Sequence, residues 1–175
     1  IGRGIALELA RANCRIAINY AGNAEAAGEA LSLVKSVGGD GFIVQGDVAV
    51  AASVRAAVAA LEAGGGPYDI LINNAGIARL GSLLSISEAD WRDTFAVNVD
   101  GIFNVSRTVV PGMVARRCGA VVNLASWLGR RGNPIFAAYA ASKFAVIGMT
   151  QSLAPEVAPF GVRVNAVCPG IIADT

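Results

Sequence analysis

The sequence predicts a single α/β domain with a doubly wound parallel sheet and helices on both of its faces. Helical and extended patterns alternate along the whole chain, without an internal repeat or a low-complexity tract, and this alternation is typical of parallel sheets. The expected strands are short and rich in Val and Ile, as strands buried on both faces should be. A length of 175 residues with 54% hydrophobic composition suits one domain with a substantial core.

Each element rests on a local pattern. The helix that starts at Ala51 is closed by three glycines and a proline at residues 64–67. Ser87 is placed as the N-cap of the longest helix, with Asp90 at its third position. The helices are expected at 4–12, 24–37, 51–63, 87–116 and 136–158, and the strands at 15–19, 41–45, 70–73, 120–124 and 162–167.

The first strand of a doubly wound sheet lies at its centre, and this sequence opens at the helix that would follow such a strand. A sheet without its middle strand cannot close its core. We therefore expect the protein to extend upstream of Ile1 and, because no final strand precedes Thr175, downstream as well.

Charge and composition exclude several classes of function. The net charge is +1 with both signs interspersed, which argues against a nucleic acid or an anionic membrane as partner and favours a small molecule. The chain has no histidine, so histidine-based metal sites and catalytic triads are excluded. Cys14, Cys118 and Cys168 form no CxxC pattern and are interpreted as buried thiols. We expect a cytoplasmic protein without a metal site, since no apolar run reaches the roughly 18 residues of a membrane-spanning helix.

Three features at strand ends or helix starts could contact a ligand. Asn74, Ala75 and Gly76 follow a strand at the edge where open α/β sheets bind ligands, although a simple turn is the alternative. Asp47 could accept a hydrogen bond from an adenine amino group or merely cap the next helix. Gly2 could be the last glycine of a phosphate-facing turn, but a glycine that opens a helix is common.

Tyr139 and Lys143 stand out in a long apolar helix. They are four residues apart, so they share one helix face and the ammonium group can stabilise a phenolate. Making a phenol a base near neutral pH requires about 4 kcal/mol of differential stabilisation, which a nearby lysine and a bound cationic cofactor could supply. The alternative is an interfacial tyrosine beside a lysine whose charged end reaches solvent.

Two further polar residues favour the functional interpretation. Ser126 follows the fourth expected strand, thirteen residues before Tyr139, so a hydroxyl at a strand end can face the phenol. Asn98 lies inside the longest expected helix. Asparagine is a mediocre helix former, so its presence there indicates that its side-chain amide has a specific role. Together with Lys143, these groups could converge at the carboxyl edge of the sheet.

The motifs NNAG (73–76), NVDG (98–101), a serine thirteen residues before YxxxK, and CPG (168–170) resemble those of the short-chain dehydrogenase/reductase family. The resemblance runs through the whole chain in the family's order and spacing, although each motif is weak on its own. The chain is similar both to 3-oxoacyl-acyl-carrier-protein reductases and to polyol or sugar dehydrogenases. The resemblance implies a Rossmann-like fold, and it interprets the opening IGRGIALELA as the tail of a TGxxxGIG turn.

The resemblance implies a catalytic tetrad of Asn98, Ser126, Tyr139 and Lys143. Tyr139 would exchange a proton with the substrate oxygen while hydride moves to or from the nicotinamide C4 atom. Ser126 would hold that oxygen, and Asn98 would anchor a water molecule that links the site to solvent. Lys143 would stabilise the phenolate and hydrogen-bond the nicotinamide ribose. These roles predict an oxidoreductase that interconverts a carbonyl and a secondary alcohol.

The resemblance also implies cofactor contacts along the chain. The family commonly has a threonine five residues after Pro169, and here Asp174 takes that place with Thr175 following. The carboxamide contact therefore either shifts to Thr175 or differs in this protein. The expected cofactor contacts are Gly2, Tyr20, Asp47, Val48, Asn74, Ala75, Gly76, Tyr139, Lys143, Pro169, Gly170 and Ile172.

Residues 19–23, at the end of the first expected strand, carry no acidic side chain. Dinucleotide sites that prefer NAD usually place an acid there, and that acid repels the 2′-phosphate of NADP. Asn19, Tyr20 and backbone amides could instead hydrogen-bond the phosphate. We therefore predict that NADP(H) is favoured, with NAD(H) as the alternative.

The complete tetrad favours an enzyme over a non-catalytic dinucleotide-binding sensor, which would be expected to have lost one of its reactive residues. The substrate is either a 3-oxoacyl thioester or a polyol or sugar alcohol. An acidic carrier protein would need basic residues near the site, and Arg116–Arg117 and Arg130–Arg131 are candidates, although surface arginines are more often only solvated. Surplus apolar residues on the two longest helices predict a homo-oligomer, a tetramer as the resemblance implies.

Overall fold

The computed structural model describes residues 1–173, and its strands are all parallel. The order of strands and helices is the one expected from the sequence. The strands are β1 (Ile16–Tyr20), β2 (Gly41–Gln45), β3 (Ile70–Asn73), β4 (Gly119–Leu124) and β5 (Val162–Val167). The α-helices are α1 (Gly2–Arg11), α2 (Ala24–Ser36), α3 (Ala51–Gly65), α4 (Glu88–Phe95), α5 (Gly101–Arg116) and α6 (Ala137–Val157).

The strands form two sheets. β1 pairs with β2, with Ile16 opposite Gly41, and β3–β4–β5 form a second sheet in which β4 is central. β1, β2, β3 and β5 each lie at the edge of a sheet, and Ile70 of β3 is 42% exposed. Burial of both faces, which was expected for all strands, is therefore wrong for these edges. It holds best for β4, which has hydrogen-bonded neighbours on both sides.

The main core lies between the three-stranded sheet and the helices that cover it. Val121 and Asn123 point to the same face of β4, because strand side chains alternate, and this face packs against α5 and α6. A smaller cluster joins α1 and α2 to β1. The buried members of the main core are Val54, Val58, Val109, Val110, Met113, Val121, Val157, Val162 and Val164.

The longest expected helix, 87–116, is not one continuous α-helix. Its start is as expected, since Ser87 Oγ accepts a hydrogen bond from the Asp90 backbone amide at 3.0 Å. Ala96–Asp100 then form a π-helical turn before α5 begins. Turns of this kind are rare and often lie at functional sites. Asn98 lies within this turn and is fully buried. The regular helix is therefore interrupted at the asparagine, a residue type that is unfavourable inside a helix.

Two smaller expectations are also wrong. Gly64 and Gly65 lie within α3, which ends at Gly65 and is followed by Gly66, whose φ of +80° suits a glycine. The cysteines are free thiols, but they are not buried: Cys118 is exposed, and the other two are partly exposed.

Residues 1–173 contain neither a membrane-spanning helix nor a metal cluster. No helix in this range is long and apolar enough to cross a membrane. No group of three or more His, Cys, Asp or Glu side chains in the same range could hold a metal ion.

Candidate active site

A cavity of about 330 Å³ opens at the carboxyl edge of the three-stranded sheet. It combines the start of α1, the segments that follow β3, β4 and β5, and one face of α6. This is where open α/β sheets bind their ligands. The lining residues are Ile1, Gly2, Asn74, Gly76, Ile77, Ala78, Leu124, Ala125, Ser126, Tyr139, Lys143, Pro169 and Gly170.

A second, more open hollow of about 540 Å³ holds none of the residues implicated in chemistry. Leu83, Ile86 and Trp91 are among the side chains that line it, and its charged residues Glu88 and Arg92 pair with each other at 2.8 Å. The smaller cavity is therefore the candidate active site.

The ammonium group of Lys143 is buried beside this cavity. The residue is 4% exposed, and Nζ donates to the Leu124 carbonyl at 2.7 Å. Burial lowers the pKa of Lys143 from 10.5 to about 8, because the charged form is poorly solvated there. Nζ lies 5.6 Å from the centre of the Tyr139 ring, so the two side chains share one helix face. The alternative of a lysine whose charged end reaches solvent is wrong.

Ser126 is positioned by the turn that follows β4. Its Oγ accepts from the Leu128 amide at 3.2 Å and so starts a 3₁₀ turn at Trp127–Gly129. This turn packs closely on α6, since a Cβ at Gly129 would lie 2.7 Å from the Lys143 carbonyl oxygen. A larger residue at position 129 would push the serine away from the helix that carries Tyr139.

Asn98 joins the segment after β3 to α6. Its Oδ1 accepts from the Ile77 amide at 2.8 Å, while Nδ2 donates to the Ile77 carbonyl and to Ser142 Oγ, both at 2.9 Å. Both amide hydrogens are thus used within the protein. A water molecule bound by Asn98 would have to donate to one of its oxygens, and the water-anchoring role stays a prediction.

The residues around the cavity fit a dinucleotide. α1 starts there without a side-chain cap and without an acid in its first turn, so its amide groups suit a phosphate. A Cβ at Gly2 would lie 2.7 Å from Asn74 Nδ2, and one at Gly76 would lie 3.4 Å from Lys143 Nζ. Glycine at these two positions therefore lets the start of α1 and the segment after β3 pack closely around the cavity. Pro169 and Gly170 complete the lining.

Two expected cofactor contacts, Tyr20 and Asp47, lie outside the lining of this cavity. Tyr20 is the last residue of β1, and Asp47 lies two residues after the end of β2. The two strand ends lie side by side, since the Gly46 amide donates to the Tyr20 carbonyl at 2.9 Å. Asp47 Oδ1 accepts from the Ala49 amide at 2.9 Å within the turn before α3, but Asp47 does not cap that helix, whose N-cap is Val50 without a side-chain hydrogen bond. Contacts of these residues with adenosine stay predictions.

Three further expected contacts also lie outside the lining. Val48 packs against the main core, and a Cβ at Gly101 would lie 2.8 Å from its Cγ2 atom. Ala75 and Ile172 are exposed. Their contacts with a cofactor stay predictions, and the contact considered for Thr175 lies outside the described residues.

Sequence analysis missed a buried polar ladder behind the cavity. Asn73 Nδ2 donates to Asn123 Oδ1 at 2.8 Å, and Asn123 Nδ2 donates to Thr150 Oγ1 at 2.9 Å on α6. Ser106 of α5 accepts a longer hydrogen bond from Asn73 at 3.3 Å. The available signal was an asparagine near the end of two Val- and Ile-rich strands, because a buried polar side chain needs a partner.

Comparison with known proteins decides the family. The profile described as short chain dehydrogenase matches residues 1–175. The chain belongs to the short-chain dehydrogenase family. Among its relatives within this family, 3-oxoacyl-[acyl-carrier-protein] reductase FabG of Staphylococcus aureus (strain Mu50) is 43% identical over 172 residues, which are 98% of this chain and 70% of that protein. Oxidoreductase UcpA of Salmonella typhimurium is 40% identical over 176 residues, covering 98% of this chain and 65% of UcpA.

Solved structures confirm the Rossmann-like α/β fold. NAD⁺-bound xylitol dehydrogenase superposes with a TM-score of 0.93 at 34% identity, over 97% of this chain and 65% of that one. Gluconate 5-dehydrogenase from Burkholderia cenocepacia J2315, in complex with NADP and tartrate, gives a TM-score of 0.89 at 37% identity, over 97% of this chain and 67% of that one. The chain thus spans about two thirds of the length of these two dehydrogenases.

The buried ammonium group predicts a pH-dependent cost to folding. Because the pKa of Lys143 falls from 10.5 to about 8 on folding, the cost of the charged form is fully present below pH 8. It is lost as the pH rises to 10.5, a total of about 3 kcal/mol. Lys143→Met should therefore gain more stability over its parent at pH 7 than at pH 10.5, as measured by urea unfolding.

Both proteins in this comparison should carry Tyr139→Phe, so that the neighbouring phenol does not titrate. Lys35→Met is the matched control, because Lys35 is the other lysine of the chain and is exposed. If the stability difference caused by Lys143→Met stays constant from pH 7 to pH 10.5, the ammonium group is not desolvated in the folded protein.

Proposed function

We propose that the protein is an NAD(P)(H)-dependent oxidoreductase that interconverts a carbonyl group and a secondary alcohol. The observation that carries the proposal is the presence of Ser126, Tyr139 and the buried Lys143 at one cavity, beside the uncapped start of α1. Membership of the short-chain dehydrogenase family supports it. A non-catalytic dinucleotide-binding sensor would have no need to keep this complete set of reactive groups.

Each of these three side chains has a separate role in the proposed reaction. A bound nicotinamide cofactor would supply or accept the hydride. Tyr139 gives a proton to the carbonyl oxygen in reduction or removes it from the alcohol in oxidation. Ser126 hydrogen-bonds the same oxygen and holds the reacting carbon in place. Lys143 uses one hydrogen on Leu124, so its other two can bind a ribose hydroxyl and its charge favours the phenolate.

In this proposal, the bound dinucleotide extends from one end of the sheet to the other. Gly2 and the first amides of α1 would hold the pyrophosphate, and Pro169 and Gly170 would lie beside the nicotinamide. The segment that follows β3 would line the cofactor. The adenosine end would lie near Tyr20, Asp47 and Val48, and the remaining proposed contacts are Asn74, Ala75, Gly76 and Ile172.

The favoured substrate is a 3-oxoacyl thioester. The support is the 43% identity to the relative named 3-oxoacyl-[acyl-carrier-protein] reductase. Arg130 and Arg131 are exposed and follow the turn after Ser126, so basic side chains are available near the cavity for an acidic carrier protein. Arg116 and Arg117 lie instead at the amino edge of the sheet, where Arg116 bonds the Tyr68 carbonyl just before β3. A polyol or sugar alcohol is the second candidate, since the two structural neighbours are named for xylitol and gluconate.

A homotetramer is proposed for the assembly. Phe103 of α5 is 49% exposed and Phe144 of α6 is 47% exposed, although both lie on helices that also cover the sheet. Large apolar side chains on neighbouring helices favour association of copies through these faces.

Tyr139→Phe should abolish turnover while leaving cofactor affinity nearly unchanged, because only the proton-transfer group is lost. Lys143→Ala should weaken both. Initial rates with a panel of 3-oxoacyl thioesters and ketose sugars, together with fluorescence titration of NADPH and NADH, measure the two effects.

Tyr68→Phe is the matched control, since the Tyr68 hydroxyl bonds the Val58 carbonyl at 3.4 Å and lies away from the cavity lining. If Tyr139→Phe keeps a tenth or more of wild-type turnover, Tyr139 is not the acid/base group. If the wild-type protein binds dinucleotide but turns over no substrate of the panel, the sensor function is favoured instead.

The cofactor preference is expected to favour NADPH, because residues 19–23 present no acid to repel a 2′-phosphate. The ratio of kcat/KM for NADPH and NADH at saturating carbonyl substrate measures it. Tyr20→Asp should move the ratio toward NADH, whereas Tyr20→Phe, which adds no charge, should move it less. A tenfold or greater wild-type preference for NADH would overturn the assignment.

The assembly can be tested by light scattering at micromolar concentration. The wild-type protein should have the mass of a tetramer, and Phe103→Glu with Phe144→Glu should lower it, because two charges would have to be buried at the contact. Phe160→Glu is the control, since Phe160 is 39% exposed but lies on the turn after α6. A wild-type monomer would refute the proposal.

A further inference from the structure

Ser142 connects the helix that carries the catalytic candidates to Asn98. It lies directly before Lys143 and is fully buried. Its hydroxyl donates to the Tyr139 carbonyl at 2.7 Å, a bond that serines inside helices often make. A hydroxyl has one hydrogen, so Oγ can only accept from its second partner, which is Asn98 Nδ2 at 2.9 Å. The direction of both hydrogen bonds is therefore fixed.

Asn98 in turn contacts Gly76 and Ile77, which form one wall of the cavity. Its carboxamide makes two hydrogen bonds with the backbone of Ile77. Its Oδ1 lies 3.3 Å from the Cβ position of Gly76, and Lys143 Nζ lies 3.4 Å from the same point. Gly76 thus lies between Asn98 and Lys143, while Ile77 is held by Asn98, and both residues line the cavity.

We propose that Ser142 is a positioning residue for the reaction. It fixes the orientation of the Asn98 carboxamide and so holds the wall at Gly76 and Ile77 at a set distance from the helix face with Tyr139 and Lys143. Without the hydroxyl, one buried amide hydrogen of Asn98 loses its acceptor, the carboxamide turns to find another, and the wall moves with it. The inference rests on the proposed oxidoreductase function, because it concerns the geometry of that site.

α6 supplies a matched control two turns further on. Thr150 is also buried, donates to a backbone carbonyl of its own helix at 2.7 Å, and accepts from an asparagine Nδ2 at 2.9 Å. That asparagine is Asn123, which lies in the ladder behind the cavity and not in its lining. Thr150→Val therefore removes the same kind of link without touching the wall at Gly76 and Ile77.

The test compares Ser142→Ala and Thr150→Val with the wild-type protein. Ser142→Ala should lower kcat about tenfold or more and raise the dinucleotide dissociation constant less than about threefold. It should also increase the isotope effect on kcat with 4-deuterated reduced cofactor, because the chemical step becomes slower. Thr150→Val should leave these values within about twofold of wild type, even where both variants lose similar stability in urea. Ser142→Cys, which leaves only a weak hydrogen-bonding group at this position, serves if Ser142→Ala does not fold.

Hydrogen exchange of the Ile77 amide provides a readout that does not depend on turnover. This amide donates to Asn98 Oδ1, so its exchange should become faster in Ser142→Ala and stay unchanged in Thr150→Val. Equal losses of kcat in the two variants, or unchanged exchange at Ile77 in Ser142→Ala, would overturn the proposal. A wild-type protein without turnover would instead refute the oxidoreductase function, while exchange at Ile77 would still decide whether Ser142 positions Asn98.

Discussion

The hydrogen bond from Lys143 Nζ to the Leu124 carbonyl fixes helix α6 against the carboxyl end of β4. A buried ammonium group must have an acceptor, because burial without one costs far more than the hydrogen bond supplies. The strand end therefore determines where the helix can lie. Ser126 follows Leu124 by two residues and Tyr139 precedes Lys143 by one helical turn, so this one contact also relates the serine hydroxyl to the phenol.

Helix α6 buries polar side chains together with apolar ones such as Val146 and Val157. Ser142, Lys143 and Thr150 are buried against the rest of the domain, while Phe144 is 47% exposed. Surface helices normally bury their apolar side. The buried polar groups are tolerated because, within residues 1–173, every fully buried side-chain nitrogen or oxygen has a hydrogen-bond partner. This mixed burial places Lys143 beside the cavity and leaves Phe144 exposed, where the proposed tetramer would cover it.

Local patterns were enough to predict the strands, the Ser87 cap and the shared face of Tyr139 and Lys143, because each depends on residues close in sequence. The π-helical turn at Ala96–Asp100 could not be predicted in this way. It accompanies hydrogen bonds that join Asn98 to Ile77 and to Ser142, which are 21 and 44 residues away along the chain. Contacts of that kind are decided by the packing of distant elements, and helix propensity carries no information about them.

The Asn73–Asn123 ladder was missed for a related reason. Two asparagines at strand ends become partners only when β3 and β4 pair in the observed register, with Asn73 directly opposite Asn123. The sequence shows both asparagines, but it does not show which residues of β3 and β4 lie opposite each other.

The end of β1 shows how packing limits what a strand end can recognise. Asn19 Nδ2 donates to the Gly46 carbonyl at 2.8 Å, and a Cβ at Gly46 would lie 2.8 Å from Asn19 Oδ1, so this carboxamide is held against β2. A side chain held in this way cannot turn freely toward a ligand, which leaves Tyr20 and backbone amides as the adaptable donors. In the first turn of α2, Glu25 opposes a phosphate while the helix amides favour it. In the proposed site, the choice between NAD and NADP therefore depends on opposed electrostatic contributions, and a charge introduced at position 20 would change their balance directly.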